Sequence, residues 1–416
     1  MKTNNSEPNQ KPKVLLAMSG GVDSSVAALL LKKQGYEVIG AFMKNWSDTK
    51  NPLTGECNWR EERRIATQIA SLLDIPLITL DFEKQYKRDV VEEMFKLYKK
   101  GITPNPDVDC NNKVKFPLLG KEAQKRKISL IATGHYVRIK RIINGKAVDD
   151  KKFLKLIDNK NSNIKNVNIK DIKNNASLRA QFKLLRSKDE SKDQSYFLYR
   201  LTQNDLSHTL FPIGELTKSQ VREIAQKNNF PNYNKKSTTG ICFIGKINLK
   251  DFLKQKIPLK KGNILDPQGK IIGQHDGIYY YTIGQRLGPR YGFEISKKSD
   301  NPQTLKRWYV AKKDLKTNTI IAAPENHPLL FKKEIIIHNF YLISNQKKEV
   351  IKKLMNKQVN VRIRHVGELL SSTIKKEKNK IKVILKTPIT GISEGQAIVI
   401  YKKDSSECLG GGVIGF

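Results

Sequence analysis

The sequence predicts an α/β fold: a parallel-sheet domain, then a small central domain, then a C-terminal β-barrel. Three observations lead there. The first third of the chain alternates short apolar runs with stretches of helical periodicity. A glycine-bearing turn joins the first such run to the first helix. From Gly262 onward, short β-type runs are separated by Gly, Asn and Pro. A chain of 416 residues has room for two to four domains with ample core.

The elements follow in order. Residues 14–18 form an apolar run, as expected of a strand buried on both faces. Gly20 and Gly21 allow a sharp turn, and residues 26–33 read as a helix closed by Gly35. Residues 36–43 read as a second strand. Residues 58–73 carry Ile65, Ile69, Leu72 and Leu73 at helical spacing. Residues 77–82 read as a third strand, 83–100 as a long helix ended by Gly101, and 129–133 as a fourth strand running into Gly134-His135-Tyr136. Such alternation implies a parallel sheet covered by helices on both faces. Ligands of such sheets sit at the carboxyl ends of the strands, which puts the glycine turn, Met43 and Gly134 on one edge. From 141 to 186 the pattern fails, and 158–176 is rich in Asn, Lys and Ile; an exposed, mobile insertion is expected. Helices return at 195–201 and 217–229. The later runs 278–282, 307–310, 333–338, 359–364 and 380–385 read as strands of small barrels. The expected domains are residues 1–205 (with the insertion 141–186), 206–314 and 315–416.

Lys and Arg number 77 against 40 Asp and Glu, a formal charge of +37. Solubility needs far less, so a polyanionic partner, most simply nucleic acid, is expected. An AT-rich coding bias toward Lys, Asn and Ile inflates the figure. No apolar run approaches the ~20 residues of a membrane span, and the polar stretch 1–13 lacks a signal core. A cytoplasmic protein with no membrane partner is expected. Its four cysteines, Cys57, Cys110, Cys242 and Cys408, form no Cys-x-x-Cys pair, which argues against a zinc site built from local pairs.

Three segments carry chemistry. The first is Ala17-Met18-Ser19-Gly20-Gly21-Val22-Asp23-Ser24. Open amides and the positive end of the helix dipole suit a phosphate group, and the serines add hydroxyl donors. Asp23 beside phosphate suits a divalent cation, most simply Mg²⁺. The segment lacks the Gly-Lys-Ser/Thr ending of a Walker A loop and the Gly-x-Gly-x-x-Gly of a dinucleotide site. The second segment, Asn105-Pro106-Asp107-Val108-Asp109-Cys110, reads as a proline-stiffened loop. Lys113 and Lys115 would favour a Cys110 thiolate, and Asp107 would shuttle a proton. The third, residues 237–245, frames Cys242 between Gly240 and Gly245, a setting suited to sulfur exchange. Each segment also has a plain structural reading: a capped turn, or a small buried cysteine.

The string Ser19-Gly20-Gly21-Val22-Asp23-Ser24-Ser25 resembles the PP-loop of ATP pyrophosphatases. All three segments, in this order, resemble those of the tRNA 2-thiouridylase family. So do Phe42-Met43-Lys44-Asn45-Trp46, Thr133-Gly134-His135-Tyr136, Lys192-Asp193-Gln194-Ser195-Tyr196-Phe197-Leu198, His275-Asp276-Gly277, Tyr281-Thr282-Ile283-Gly284-Gln285-Arg286 and Leu409-Gly410-Gly411-Gly412-Val413-Ile414. The resemblance implies a PP-loop (HUP-like) nucleotide-binding domain. It implies ATP bound by Ala17, Met18, Ser19, Gly20, Gly21, Val22, Asp23 and Ser24 with Met43 and Gly134. It implies a wobble uridine of tRNA received by Asn105, Pro106 and Asp107 and adenylated on its 2-carbonyl. Cys242 would carry a persulfide sulfur brought by a donor protein, a sulfur relay or a cysteine desulfurase. Cys110 would act as the nucleophile, ending in a disulfide with Cys242, and Asp107 as acid or base. Lys192, Asp193 and Gln194 would contact tRNA. Arg362 and Ile363 stand where the family has Arg-Tyr, so a stacking ring is lost there. Two other readings compete: a small-molecule ligase, which has no need of two thiols, and a nucleotide-sensing RNA-binding protein, which has no need of Asp23 or Asp107. Cys57 and Cys408 match no sulfur-handling motif, and Trp46 and Trp59 read as packing residues. His135 suits nucleotide positioning or a structural role, and His275 a structural or tRNA-proximal one.

Overall fold

A computed structural model describes residues 11–47, 57–149, 152–153, 180–235, 248–288, 307–365, 367–377 and 380–415. The expected mobile centre of the insertion, the polar leader up to residue 10 and the Cys242 segment lie outside the described residues.

The chain begins with β1 (Lys13–Ala17), α1 (Val22–Lys33), β2 (Glu37–Lys44), α2 (Asn58–Leu72) and β3 (Leu77–Asp81). Then comes one long helical rod: α3 (Glu83–Tyr86), a π-type stretch Lys87–Glu92 and α4 (Glu93–Lys99). A second rod follows: α5 (Pro106–Asp109), a π-type stretch Cys110–Lys115 and α6 (Phe116–Lys125). After it come β4 (Leu130–Ala132), β5 (Val137–Ile143), β6 (Lys146–Val148), β7 (Ala180–Arg186) and β8 (Thr209–Leu210). β1, β2, β3, β4 and β8 build a parallel sheet in the order β3-β2-β1-β4-β8. Val14, Leu15 and Leu16 are fully buried because helices cover both faces of the sheet, each side chain contributing about 1.5–3 kcal/mol by leaving water. The chain winds outward from β1 through β2 to β3, then returns to the other side of β1 as β4. A crevice therefore opens between the ends of β1 and β4, at the point where the winding reverses.

The expected boundary at residue 205 falls inside this unit. β8 adds to the sheet beyond β4, and the helix Lys218–Lys227 buries Val221 and Ala225 in the same apolar cluster as Val26 of α1. The insertion is also ordered at its ends. β5 pairs along its length with β7, from Val137↔Arg186 to Ile143↔Ala180. Alternating buried positions in β7 explain this: Phe182 and Leu184 face the core, a period-two signal masked by the Lys-rich surroundings.

The central unit is a sheet of β9 (Gly262–Leu265), β10 (Ile271–His275), β11 (Arg286–Leu287), β12 (Trp308–Asp314) and β13 (Thr319–Pro324), in the order β10-β9-β13-β12-β11. The run 278–282, expected as a strand, forms a 3₁₀ turn over Ile278–Tyr280 instead. Gly277, at φ 159°, breaks the extended path just before it. The last unit has β14 (Phe331–Leu342), β15 (Gln358–Arg362), β16 (Leu370–Glu377), β17 (Lys380–Thr390), β18 (Ala397–Lys402) and β19 (Glu407–Gly415). The order β14-β17-β16-β15-β18-β19, with β14 pairing again to β19, closes a six-stranded barrel. β19 also pairs with β7 through Cys408↔Leu184. The β5–β7 hairpin of the first unit thus extends the barrel wall.

Candidate active site

Met18 N–H donates to Ala41 at 2.9 Å, and beyond it the chain leaves the sheet through Ser19 and Gly20. Gly20 has φ +72°, and a Cβ there would overlap the Glu62 carbonyl of α2; only glycine fits. Gly21 caps α1 without a side-chain hydrogen bond, so no side chain covers the amides of the first turn. Ser24 and Ser25 hydroxyls both donate to the Gly21 carbonyl at 3.0 Å, which fixes the turn. Gly134 follows β4 across the crevice. A Cβ on it would lie 2.8 Å from Ser24 N and 2.9 Å from Asp23 C, so its absence lets the two strand ends meet. Met43 is the last residue but one of β2 on the same edge and is buried. The expected cluster of the PP-loop, Met43 and Gly134 at one sheet edge is what the parallel pairing produces.

Asp23 is already engaged. Its Oδ1 accepts from Tyr136 Oη at 2.7 Å and from Lys218 Nζ at 2.6 Å. Burial and the Asp23 charge push the Tyr136 phenol well above its ordinary pKa, so it remains a donor. Among the described residues, no group of three or more His, Cys, Asp or Glu could hold a metal ion by itself. Sequence reading missed Lys218 and also Asn232. The Asn232 Nδ2 donates to the Gly20 carbonyl and to Ser25 Oγ, each at 3.0 Å, locking the phosphate turn from behind. Neither residue lies in a recognisable motif; only the fold brings them to the loop.

The segment expected as a loop is a helix start. Asn105 Oδ1 accepts from Val108 N at 3.3 Å, with Pro106 in the first turn, the standard use of these residues at a helix N-terminus. Cys110 opens the π-type stretch, fully buried in the cluster that also holds Met43 and Leu15. π-type turns inside helices are common at functional positions. The lysines expected to favour its thiolate have other contacts. Lys113 pairs with Asp109 at 3.2 Å, and Lys115 Nζ lies 3.3 Å from His135 Nε2. His135 is buried, takes part in a 2.7 Å hydrogen bond with Thr133 Oγ1, and is held well below its ordinary pKa by burial and by Lys115. It is a neutral imidazole between the PP-loop edge and the Cys110 helix.

All three units converge just before Asn105. Gln396 Nε2 donates to the carbonyls of Thr103 (2.9 Å) and Pro104 (2.7 Å) from the barrel. Thr103 Oγ1 lies 3.1 Å from Thr282 Oγ1 of the central unit. Tyr196 Oη reaches the carbonyls of Ile363 (3.2 Å) and Ala397 (3.0 Å) and also bonds Asn105.

The expected RNA contacts divide. Lys192 is exposed. Gln194 accepts from Tyr136 N at 2.9 Å. Asp193 and Arg362 instead face each other at 2.7 Å, with side chains 0% and 6% exposed. Asp193 also accepts from Ser187 N, Ser195 N and Ser195 Oγ. Ile363 is buried in the barrel core. The Asp193–Arg362 pair joins the first unit to the barrel, and all three side chains are buried. The remaining expectations fall on the structural side. His275 is buried between Asn318 and Gly277. Cys408 is buried, which raises its thiol pKa far above the ordinary value.

A PP-loop-type turn at the switch point of a parallel sheet, followed by two β units that grip one helix start, defines a HUP-domain protein with appended barrels. Comparison with known families agrees. Residues 12–246 match the tRNA methyl transferase HUP domain, 250–324 the tRNA methyl transferase PRC-barrel domain, and 332–414 the aminomethyltransferase beta-barrel domain. Among curated relatives, the tRNA-specific 2-thiouridylase MnmA 1 of Geobacillus kaustophilus is 40% identical over 97% of this chain and 96% of its own. The MnmA 2 of Aliarcobacter butzleri is 38% identical over 98% and 99%; that of Nitrosomonas eutropha is 38% identical over 97% and 98%. The chain belongs to the tRNA-specific 2-thiouridylase (MnmA) family.

Proposed function

We propose that the chain uses ATP to replace the 2-oxygen of the wobble uridine of tRNA by sulfur. The observation that carries this reading is that Met43, on the sheet edge of the PP-loop, shares one apolar cluster with Cys110, directly behind a helix start gripped by both β units. A methyl transfer, which the family-model descriptions name, has no use for such a loop. A uracil carbonyl oxygen is a poor leaving group, so activation comes first. The 2-oxygen attacks the α-phosphorus of ATP, a P–O bond breaks, and pyrophosphate leaves. The amides of the first turn of α1 stabilise the displaced phosphates. Asp107, half-buried on the helix start, serves as acid or base. The terminal sulfur of a Cys242 persulfide attacks C2 and AMP departs. The Cys110 thiolate then attacks the Cys242 sulfur, releasing thiouridine and leaving a Cys110–Cys242 disulfide, which an external thiol reductant must reopen.

Cys242 lies outside the described residues, but its anchors bear on its reach. Lys235 pairs with Glu62 at 2.8 Å, beside Gly20. On the other side, Phe252 packs on Trp46 and shares the Cys110 cluster. Cys242 is seven positions after Lys235, a chain length of at most roughly 25 Å. A Mg²⁺ ion, when bound, would neutralise phosphate charge; Asp23 would supply one ligand through Oδ2, and nucleotide oxygens most of the rest. The sulfur comes from a persulfide donor protein. Among the described residues no helix is long and apolar enough to cross a membrane, and we assign the activity to the cytoplasm, where tRNA and ATP meet.

The test is pyrophosphate release from ATP with and without tRNA bearing a wobble uridine. Release should require that tRNA. Cys110→Ser and Cys242→Ser should keep tRNA affinity and lose 2-thiouridine formation, read by nucleoside mass spectrometry. Thiolation by Cys242→Ser would refute the persulfide role, and tRNA-independent turnover would refute the whole reading.

A further inference from the structure

We propose that Lys96, Lys99, Lys100 and Lys256 form a docking cleft for the backbone phosphates of a duplex RNA stem, beside the segment that receives the target base. The proposal rests on the tRNA reading above. The cleft has a volume of about 420 Å³ and is lined by these four lysines with Glu92 and Phe95. Only Lys96 has a carboxylate partner, Glu93 at 3.3 Å; Lys99, Lys100 and Lys256 make no ion pair among the described residues.

Three of the lysines end α4, where cations favourably face the negative end of the helix dipole. That alone would account for them. It does not account for Lys256, which arrives just after the helix Leu249–Lys254. Its ammonium sits 5.2 Å from the centre of the Phe95 ring, and Phe95 stacks on Phe252 with centroids 5.2 Å apart. Two segments distant in sequence thus deliver unpaired cations to one cleft over a rigid floor. Phe95 itself is 5% exposed, so it offers no face for stacking an unpaired base. Single-strand sites pair cations with open aromatic platforms; a cleft of lysines alone fits phosphates of a duplex.

Position selects which duplex. From Lys100 the chain runs through Gly101 to Thr103, which Gln396 and Thr282 hold. Asn105 is five residues from Lys100, at most roughly 18 Å of chain. A base drawn out to Asn105 leaves its flanking stem within reach of the cleft.

The test uses the full-length protein carrying Lys99→Gln, Lys100→Gln and Lys256→Gln together, with Lys256→Gln alone as a second variant remote from α4. Affinity for unmodified tRNA, for its anticodon stem–loop and for a stemless strand of the same loop is measured against salt. Each phosphate contact adds about 0.9 to the slope of log K against log salt. The triple variant should therefore lose about 2–3 from the slope and bind tRNA and the stem–loop at least about tenfold more weakly near 0.1 M salt. Lys256→Gln should lose close to one. The stemless strand and ATP should bind as to the parent protein. Unchanged slopes in a protein that binds and thiolates tRNA would overturn the cleft and leave the proposed function intact. A loss confined to ATP would assign the lysines to a free anion, and a loss confined to the stemless strand would assign them to unpaired RNA; either overturns the duplex assignment. If the parent protein neither binds nor thiolates tRNA, the functional reading falls, and the cleft with it.

Discussion

Removing Asp193 or Arg362 singly should unfold the junction between the first unit and the barrel. The two side chains lie 2.7 Å apart and are almost wholly buried. Arg362 Nη1 donates to Asp193 Oδ2, while Oδ1 takes the amides of Ser187 and Ser195. Deleting one partner of a buried pair strands the other charge, at a cost of about 3–5 kcal/mol. Asp193→Asn should stand at the lower end, since an amide oxygen still accepts from the serines. Arg362→Met fills the space yet leaves a buried carboxylate with no counter-charge, only the serine donors, and should stand at the upper end. The double variant strands no charge. It should cost less than the sum of the singles, with a coupling of about 1–3 kcal/mol. Urea denaturation followed by tryptophan fluorescence measures all four corners of the cycle. The reasoning is refuted if both singles unfold within about 1 kcal/mol of the parent while tRNA affinity drops, because the side chains would then face RNA rather than each other.

Gly134→Ala should remove ATP binding at small cost to the fold: its Cβ would meet backbone at Ser24 and Asp23, overpacking of about 1–3 kcal/mol, and calorimetry with ATP checks it. Lys313 donates to the Tyr281 carbonyl at 2.7 Å, and burial lowers its pKa to about 8. A folded pKa below the unfolded value means that the unfolded chain holds more protons between about pH 8 and 10.5. Stability attributable to this group should rise with pH across that window. Lys313→Met should flatten the rise and gain about 2–3 kcal/mol near pH 7, read from urea midpoints at several pH values. His135, also depressed by burial, acts on the acid side. Below about pH 6.5 the unfolded chain takes up a proton that the buried ring refuses, so stability falls; His135→Gln should blunt that fall in the same assay.

The first unit was largely legible in the sequence because its signals are local. The apolar run 14–18, the glycine turn and Gly35 each specify their own geometry, and the parallel sheet follows from their alternation. The placement of Ser19 to Ser24, Met43 and Gly134 on one sheet edge was legible too. The site was not legible where tertiary pairing decides. Nothing local marks Lys218 or Asn232 as partners of the phosphate turn. Asn105-Pro106 reads as a stiffened loop, yet it starts a helix because the capping oxygen and the proline ring suit a first turn. Asp193 and Arg362 read as RNA contacts in a basic chain, and only the fold sets them face to face between the first unit and the barrel.

That join also makes one strand the seal of several edges. β19 serves three neighbours, β14, β18 and β7. Without it, each of those partners would keep one edge of bare amides and carbonyls. Lys-rich flanks such as Lys402 and Lys403 guard the open edges by repelling like chains. Deleting the nine residues Glu407–Gly415 would leave all three edges unsealed at once and yield an aggregating protein.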